Sequence, residues 1–388
     1  MDPISAATHF DPYDFYYARL RARGGLTYDS ALGLWVASSA AAVAAVLNHP
    51  ACRVRPLQEP VPRAIAGRPA GQVFARLMRM NDGPRHGCPR QAMAPGLQAL
   101  GGIDLMPWLA QWRPALRAPQ CAADLQRWQW CLPVALLAAL LGVPAAQCEE
   151  LARRTGEFVA CFSPLSTEPQ LQAADSAAQA LLRQMQAVLD NPQPGPLLRT
   201  ILERSNGLAP EDLQANLVGL LAQTHDACAG LLGNSLLALL ADPALARRLQ
   251  HDPRQLQDWL LQLQRLDPPV QNTRRFVAEP CTLLGVDLQA GDSVLVLLAA
   301  ANHDPALCAI TGSDPAQQGF SFGAGAHRCP GRDLALNIVH SLLRTLLQPP
   351  GLDALALQWQ YRASVNGRLP QFSDAPGSRP RDWQQADA

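Results

Sequence analysis

Phe320-Ser321-Phe322-Gly323-Ala324-Gly325-Ala326-His327-Arg328-Cys329-Pro330-Gly331-Arg332 is the stretch on which the reading of this chain turns. Glycines at 323, 325 and 331 open backbone shapes closed to other residues and let the chain approach a flat surface closely. Just past the cysteine, Leu334, Ala335, Ile338, Val339, Leu342 and Leu343 fall on one stripe, which predicts an amphipathic helix. The Cys329 sulfur is thereby expected at a helix N-terminus, where unpaired N–H groups and the positive dipole end lower a thiol's pKa. An anionic sulfur there suits a metal. A glycine count alone supports only a turn with a buried cysteine. The full spacing is longer and more specific.

Phe322-Gly323-x-Gly325-x-His327-x-Cys329-x-Gly331 resembles the haem-binding loop of the cytochrome P450 family. The resemblance implies a mainly α fold with small β-sheets, a long central I helix and the cysteine loop before the L helix. It implies haem b as cofactor, with Cys329 as the proximal iron ligand and Phe322, Gly323 and Gly331 lining the loop. Loop amides would hydrogen-bond the sulfur. His327 would sit over a haem propionate.

Other segments follow in the family's order. Asp82-Gly-Pro-Arg-His86-Gly-Cys-Pro-Arg90 resembles its second haem-contact motif. His86 and Arg90 are four apart, so on a helix they share a face and can clamp one carboxylate. Pro89 between them predicts that the helix begins late or bends. Leu266-Asp-Pro-Pro-Val-Gln-Asn-Thr-Arg-Arg275-Phe resembles the segment after the K helix. By that resemblance Arg275 reaches a propionate, with Arg274 a near competitor, and Val270, Gln271 and Asn272 line the substrate pocket. Gly291 to Pro305 continues the match. The motifs span most of the chain and imply one haem-thiolate domain over residues 1–388, with a frayed tail at 373–388.

Pro210 to Leu240 predicts one helix of about 31 residues, roughly 46 Å long. It resembles the family's I helix, interrupted by Gln223-Thr224-His225-Asp226 and lightened by Gly219, Gly230 and Gly233. Three departures stand out. Where the family usually has Ala-Gly-x-Asp/Glu-Thr, the acid is kept as Asp226 but the alcohol becomes Ala227. Thr224 lies one turn earlier and Gln223 could order a water. In the K helix, Glu-x-x-Arg becomes Gln262-Leu-Gln-Arg265, which implies a rebuilt polar brace with a buried amide for the carboxylate. Between Pro305 and Phe320 the usual aromatic and Arg are absent.

Composition bounds the function. The chain has 388 residues, 48% hydrophobic and 16% charged, enough for a large core and too apolar for disorder. Thirty-two basic residues, all Arg, balance thirty-two acidic ones, arguing against nucleic acid or an anionic membrane as partner. The longest apolar runs, Leu136 to Val143 and Val294 to Ala301, fall far short of a span of roughly 20 residues. Ten scattered cysteines without a CxxC pair read mostly as small buried hydrophobes. Helical periodicity dominates over residues 12–23, 40–47, 125–141, 144–161, 171–189, 210–240 and 255–266. Strands are expected at 32–37, at 282–288 with 294–298 around the turn 289–292, and at 355–363 with 367–372.

These readings and the resemblance lead to one expectation. The chain is a soluble, cytoplasmic, monomeric bacterial monooxygenase, served by separate ferredoxin and ferredoxin reductase-type electron donors. Its substrate is a small, largely apolar secondary metabolite, walled by the 55–80 loop, the 157–184 helices and 270–272. Asp226, Thr224, Gln223 and Ala227 shape the distal chemistry. The loss of the alcohol motivates an alternative without a proton relay: peroxide-driven oxidation, dehydration, rearrangement or nitrogen-group transfer. A catalytically silent partner protein is a third reading.

Overall fold

Helices form where apolar residues recur three and four apart. The computed structural model describes residues 1–9, 11–112, 118–311, 319–349, 352, 355 and 357–375. The first helices are α1 (Ala18–Ala22), α2 (Ala40–Asn48), α3 (Pro69–Arg76) and α4 (Pro84–Ala99). Then come α5 (Met106–Ala110), α6 (Ala122–Gln126), α7 (Leu132–Leu141), α8 (Ala145–Val159), α9 (Glu168–Leu189) and α10 (Pro196–Leu202). The last are α11 (Pro210–Ala241), α12 (Pro243–His251), α13 (Pro253–Leu266), α14 (Leu298–Asn302), α15 (Leu307–Thr311) and α16 (Arg332–Leu346). Start signals are explicit: Thr167 and Gln170 form a capping box on α9, and the Asp242 and Asp252 side chains cap α12 and α13.

The core gathers around α11. Every residue of α7 is buried, as its unbroken apolar run demands, and α7, α8, α9 and α16 pack against α11. On its far side Gly230 and Gly233 face Pro269, Leu369 and Pro370 so closely that a Cβ would collide. Among the described residues no single helix is long and apolar enough to cross a membrane. The cysteines are all free; Cys52, Cys148, Cys161 and Cys228 are buried, but Cys88 and Cys308 are exposed, so burial is less general than expected.

A second, smaller core underlies a five-stranded sheet. Its strands are β1 (Leu26–Asp29), β2 (Leu34–Ala37), β3 (Cys52–Arg53), β4 (Thr273–Val277) and β7 (Ser293–Val296), in the order β1-β2-β7-β4-β3. Between β4 and β7 lies a hairpin, β5 (Cys281–Leu283) and β6 (Val286–Leu288). This corrects the single strand expected over 282–288: Leu284 and Gly285 take positive φ (53° and 78°) and reverse the chain. The expected pairing around residues 289–292 also fails, because β7 pairs with β2 and β4 instead. The C-terminal pair is present as β8 (Leu357–Tyr361) and β9 (Pro370–Asp374). Residues 376–388 of the expected frayed tail lie outside the described residues, as does 312–318 of the altered meander.

The helix carrying His86 and Arg90 starts neither late nor at Pro89. It begins at Pro84, directly after Gly83, and runs through Pro89 and Pro95. A proline at the first helical turn lacks only an N–H that has no partner there.

Candidate functional site

A cavity of about 910 Å³ lies between α11, the 320–331 loop, α4, and the turns after α3 and α8. From α11 it is lined by Leu220, Gln223, Thr224, Ala227, Cys228 and Leu231, the spacing of one helical face. Thr224 Oγ1 donates to Leu220 O at 2.9 Å and Gln223 Nε2 to Gly219 O at 3.0 Å, so both bond back to their own helix.

Asp226 departs from its expected place. It does not line the cavity; its carboxylate accepts from His225 Nδ1 at 2.8 Å and Arg362 Nη2 at 2.7 Å. Arg362 in turn lies 4.9 Å over the Trp130 ring. Burial pushes the Asp226 carboxyl up, but the His225 hydrogen bond and the Arg362 charge outweigh it and hold it below the ordinary carboxylate value. The reason is helical phase: Asp226 is about 200° around the helix from Thr224.

The cysteine loop is tied by its own backbone. Gly323 N–H donates to Phe320 O at 2.8 Å and Cys329 N–H to Phe322 O at 2.9 Å. Gly325, at φ +64°, meets the end of α2; a Cβ there would lie 2.8 Å from Leu47 O and from Asn48 Oδ1. Phe322, Gly323, His327, Cys329 and Gly331 all line the cavity. Gly331 caps α16, and its N–H donates to the Cys329 sulfur. The thiol's direction of shift is opposite to that expected: burial raises it above the ordinary cysteine value, with the Gly331 N–H, Arg90 and Arg79 only partly offsetting this. An ionised sulfur here therefore depends on a metal rather than on the helix end alone.

At one edge of the cavity the two sequence motifs meet. His327 Nε2 donates to Asp82 Oδ1 at 3.0 Å, and the His86 and His327 rings lie 4.0 Å apart. Burial lowers the His327 pKa despite Asp82, whereas His327 and the Val54 N–H hold Asp82 low against its own burial. The pair is a neutral imidazole donating to a carboxylate. Both His86 ring nitrogens face backbone oxygens, Nδ1 that of Met78 and Nε2 that of Ala326, each at 3.0 Å. His86 thus ties α4 to the cysteine loop and is not free to clamp a carboxylate with Arg90. Arg90 lines the cavity; burial lowers its pKa and the nearby Cys329 opposes this. Of the two competing arginines on β4, Arg275 is buried at the cavity wall and Arg274 is exposed.

Strand alternation divides the other expected wall residues. Val270 and Asn272 line the cavity, and Asn272 Nδ2 donates to Val365 O at 3.1 Å. Gln271 points the other way, is fully buried, and donates to Pro268 O at 2.7 Å and Tyr13 Oη at 2.9 Å. It is not a wall residue.

The brace behind the loop is rebuilt, but not by Gln262. That residue is exposed, because α13 buries Leu256, Leu260 and Gln264, and position 262 lies on the opposite face. Asn302 does the bridging: its Nδ2 donates to Arg265 O and Ser321 Oγ, and its Oδ1 accepts from Phe320 N–H. Arg265 Nη1 donates to Asn302 O at 3.0 Å.

No family model matches the chain. Vitamin D(3) 25-hydroxylase of Pseudonocardia autotrophica is 32% identical over 225 residues, 55% of this chain and 54% of that protein. Cytochrome P450 monooxygenase PikC of Streptomyces venezuelae is 29% identical over 243 residues, 60% of this chain and 58% of that protein. The matched stretches thus span little more than half the length of these relatives. Among solved structures, ligand-free CYP164A2 of Mycobacterium smegmatis superposes with TM-score 0.72 at 25% identity, covering 96% of this chain and 97% of that one. In sequence and in fold the chain is thus similar to cytochromes P450. P450BioI, solved with an acyl carrier protein bearing hexadec-9Z-enoic acid, shares the fold at TM-score 0.72 and 23% identity, over 93% of this chain and 97% of that one.

Haem b, the cofactor of cytochromes P450, fits the residues present. The cavity offers the Cys329 sulfur from the 320–331 loop, a methyl-faced stretch of helix at Ala227, and guanidinium groups of Arg90 and Arg275 for two propionates. Arg90 has no hydrogen bond or ion pair among the described residues. A half-buried cation without a partner has an anion as its natural complement. Sequence reasoning passed over Asp82, Asn302 and Arg79. Asp82 and Asn302 lay within quoted motifs without a role, and Arg79 was signalled only by a lone charge between Met78 and Met80.

Proposed function

We propose that the chain is a haem-thiolate oxidoreductase of the cytochrome P450 kind. On this reading it inserts oxygen from dioxygen into a small, largely apolar substrate, with electrons from separate ferredoxin-type donors. The observation that carries it is the opening of the Cys329 sulfur into a large cavity whose opposite wall is the mid-stretch of α11. Bound through Cys329, haem supplies an electron-rich iron for dioxygen activation. Arg90, Arg275 and His327 would hold its propionates, while the Gly331 N–H would steady the sulfur. The loop Arg55 to Met80, the turn at Cys161–Pro164, and Val270 with Asn272 enclose the substrate and exclude water. Gln223 and Thr224 are the polar groups α11 turns to the distal side, and a proton reaching that side passes by the Thr224 hydroxyl or a water on Gln223.

Reduction under carbon monoxide tests this reading. The wild-type chain should give the red-shifted Soret band of a thiolate-ligated haem, and Cys329→Ala should lose it. A chain that purifies without haem, or a band unchanged in the variant, overturns the reading.

One observation favours a second reaction within the same frame. Ala227 brings no hydroxyl to the cavity, Thr224 bonds to its own helix, and Asp226 is held away by Arg362. Chemistry without a relay, such as peroxide-driven oxidation, dehydration, rearrangement or nitrogen-group transfer, needs none of these groups.

A further inference from the structure

Arg79 sits in the short turn Met78–Met80 that leads into α4. Its side chain is exposed to the interior of the cavity rather than packed within a wall. It lies 5.6 Å over the ring of Phe162, from the turn after α8, and its charge also acts on the Cys329 sulfur. Among the described residues it makes no hydrogen bond and no ion pair.

The charges within its reach are already committed. Asp226 is paired with His225 and Arg362, the Cys329 sulfur belongs to the iron, and burial pushes the Cys161 thiol up to about 12, leaving it neutral. Of the other cavity guanidiniums, Arg55 donates to the carbonyls of Glu59 and Pro60, Arg274 is exposed on β4, and Arg90 and Arg275 stand where two propionates fit. Glu59 is bridged to Arg63 at 3.3 Å. With haem counted, Arg79 is a cation at the cavity to which no anion is assigned, and a substrate that displaces its water would bury it. Burying such a charge is unfavourable unless something complements it.

We propose that Arg79 receives a carboxylate carried by the substrate. This rests on the haem-thiolate reading and narrows its substrate class from apolar molecules to apolar molecules bearing one acid group. A single guanidinium matches a carboxylate monoanion in both charge and fork geometry. The neighbouring walls, Met78, Phe162, Pro164 and Leu171, suit a hydrocarbon or aromatic body. The planar fork can take the carboxylate in a bidentate pair, which fixes which carbon faces the iron.

The test uses the holoprotein and a panel of medium-chain and arylalkyl carboxylic acids, each beside its primary amide. Binding is read by the Soret shift and independently by calorimetry. Acids should bind tighter than their amides by about tenfold to a hundredfold, the range for a hydrogen bond to a charged group. Arg79→Leu should erase that preference and Arg79→Lys should keep part of it. If Arg79→Leu does not fold, Arg79→Gln replaces it with the same expectation. No acid binding, no preference in the wild type, a preference that survives in Arg79→Leu or Arg79→Gln, or haem loss in place of lost preference overturns the inference. A wild-type chain with the sulfur-ligated carbon monoxide spectrum but no acid preference sinks this inference alone. Failure of the spectrum itself sinks the reading beneath it.

Discussion

Thr224 and Ala227 face the cavity one helical turn apart, and between them they decide what the distal wall can do with a proton. If dioxygen is activated, the only α11 hydroxyl on that wall is Thr224 Oγ1, whose proton is directed at Leu220 O. Its lone pairs remain available to accept from a water. Thr224→Val should then lower the fraction of reducing equivalents appearing in product by about a hundredfold, the low end of the range for lost general acid catalysis. Ala227→Thr, adding a second hydroxyl to the same face, should hold or raise that fraction. If the natural reaction needs no relay, Thr224→Val leaves turnover largely intact. Product yield and peroxide release measured together in both variants separate the cases. Full coupling in Thr224→Val removes the hydroxyl from the mechanism.

Elements set which of the polar residues visible in the sequence reach the site. Gln223-Thr224-His225-Asp226 turns through about 300° of helix, so the four cannot share a face, and only the packing of α11 decides which of them meet the cavity. The cysteine loop was legible because its glycines and cysteine are dictated by local geometry, as Gly325 against α2 shows. Arg275 over Arg274 was legible by family position and is explained by strand alternation. Gln262, Gln271 and Asp226 were misplaced because side-chain direction depends on which face the core covers, and a motif does not state that. The brace gives a test at this scale. Asn302 is 1% exposed and joins α13, α14 and the loop through its side-chain amide. Asn302→Leu strands Phe320 N–H and Arg265 O, and should cost about 3 kcal/mol, from about 1–3 kcal/mol per buried unsatisfied group. Gln262→Glu, on the exposed face, should stay within about 0.5 kcal/mol. Denaturant unfolding of both reads the contrast, and equal effects would refute the assignment of the brace to Asn302.

At the scale of the whole molecule, one acid holds together segments far apart in sequence. Asp267, just after α13, accepts from Tyr13 Oη near the start of the chain and from Arg368 Nε at 2.6 Å near its end. Arg368 also donates to His9 O, and its guanidinium lies 4.2 Å from the Tyr361 ring and 5.6 Å from the Tyr13 ring. Asn234 Nδ2, from α11, donates to Asp267 O at 2.9 Å. The N-terminal segment, the central helix, the strand toward Arg275 and the C-terminal hairpin thus share one buried node. Arg368 is 4% exposed, and removing it leaves the half-buried Asp267 carboxylate with only a phenol to answer it. Arg368→Met should cost about 3 kcal/mol, at the low end for a broken buried pair because Tyr13 remains. Tyr13→Phe should cost about 1.5 kcal/mol, the figure for a hydrogen bond to a charged acceptor. Because the two donors share one acceptor, the double variant should differ from the sum by at least about 0.5 kcal/mol. Strict additivity in a double-mutant cycle would show that the N-terminal segment and the hairpin are anchored independently.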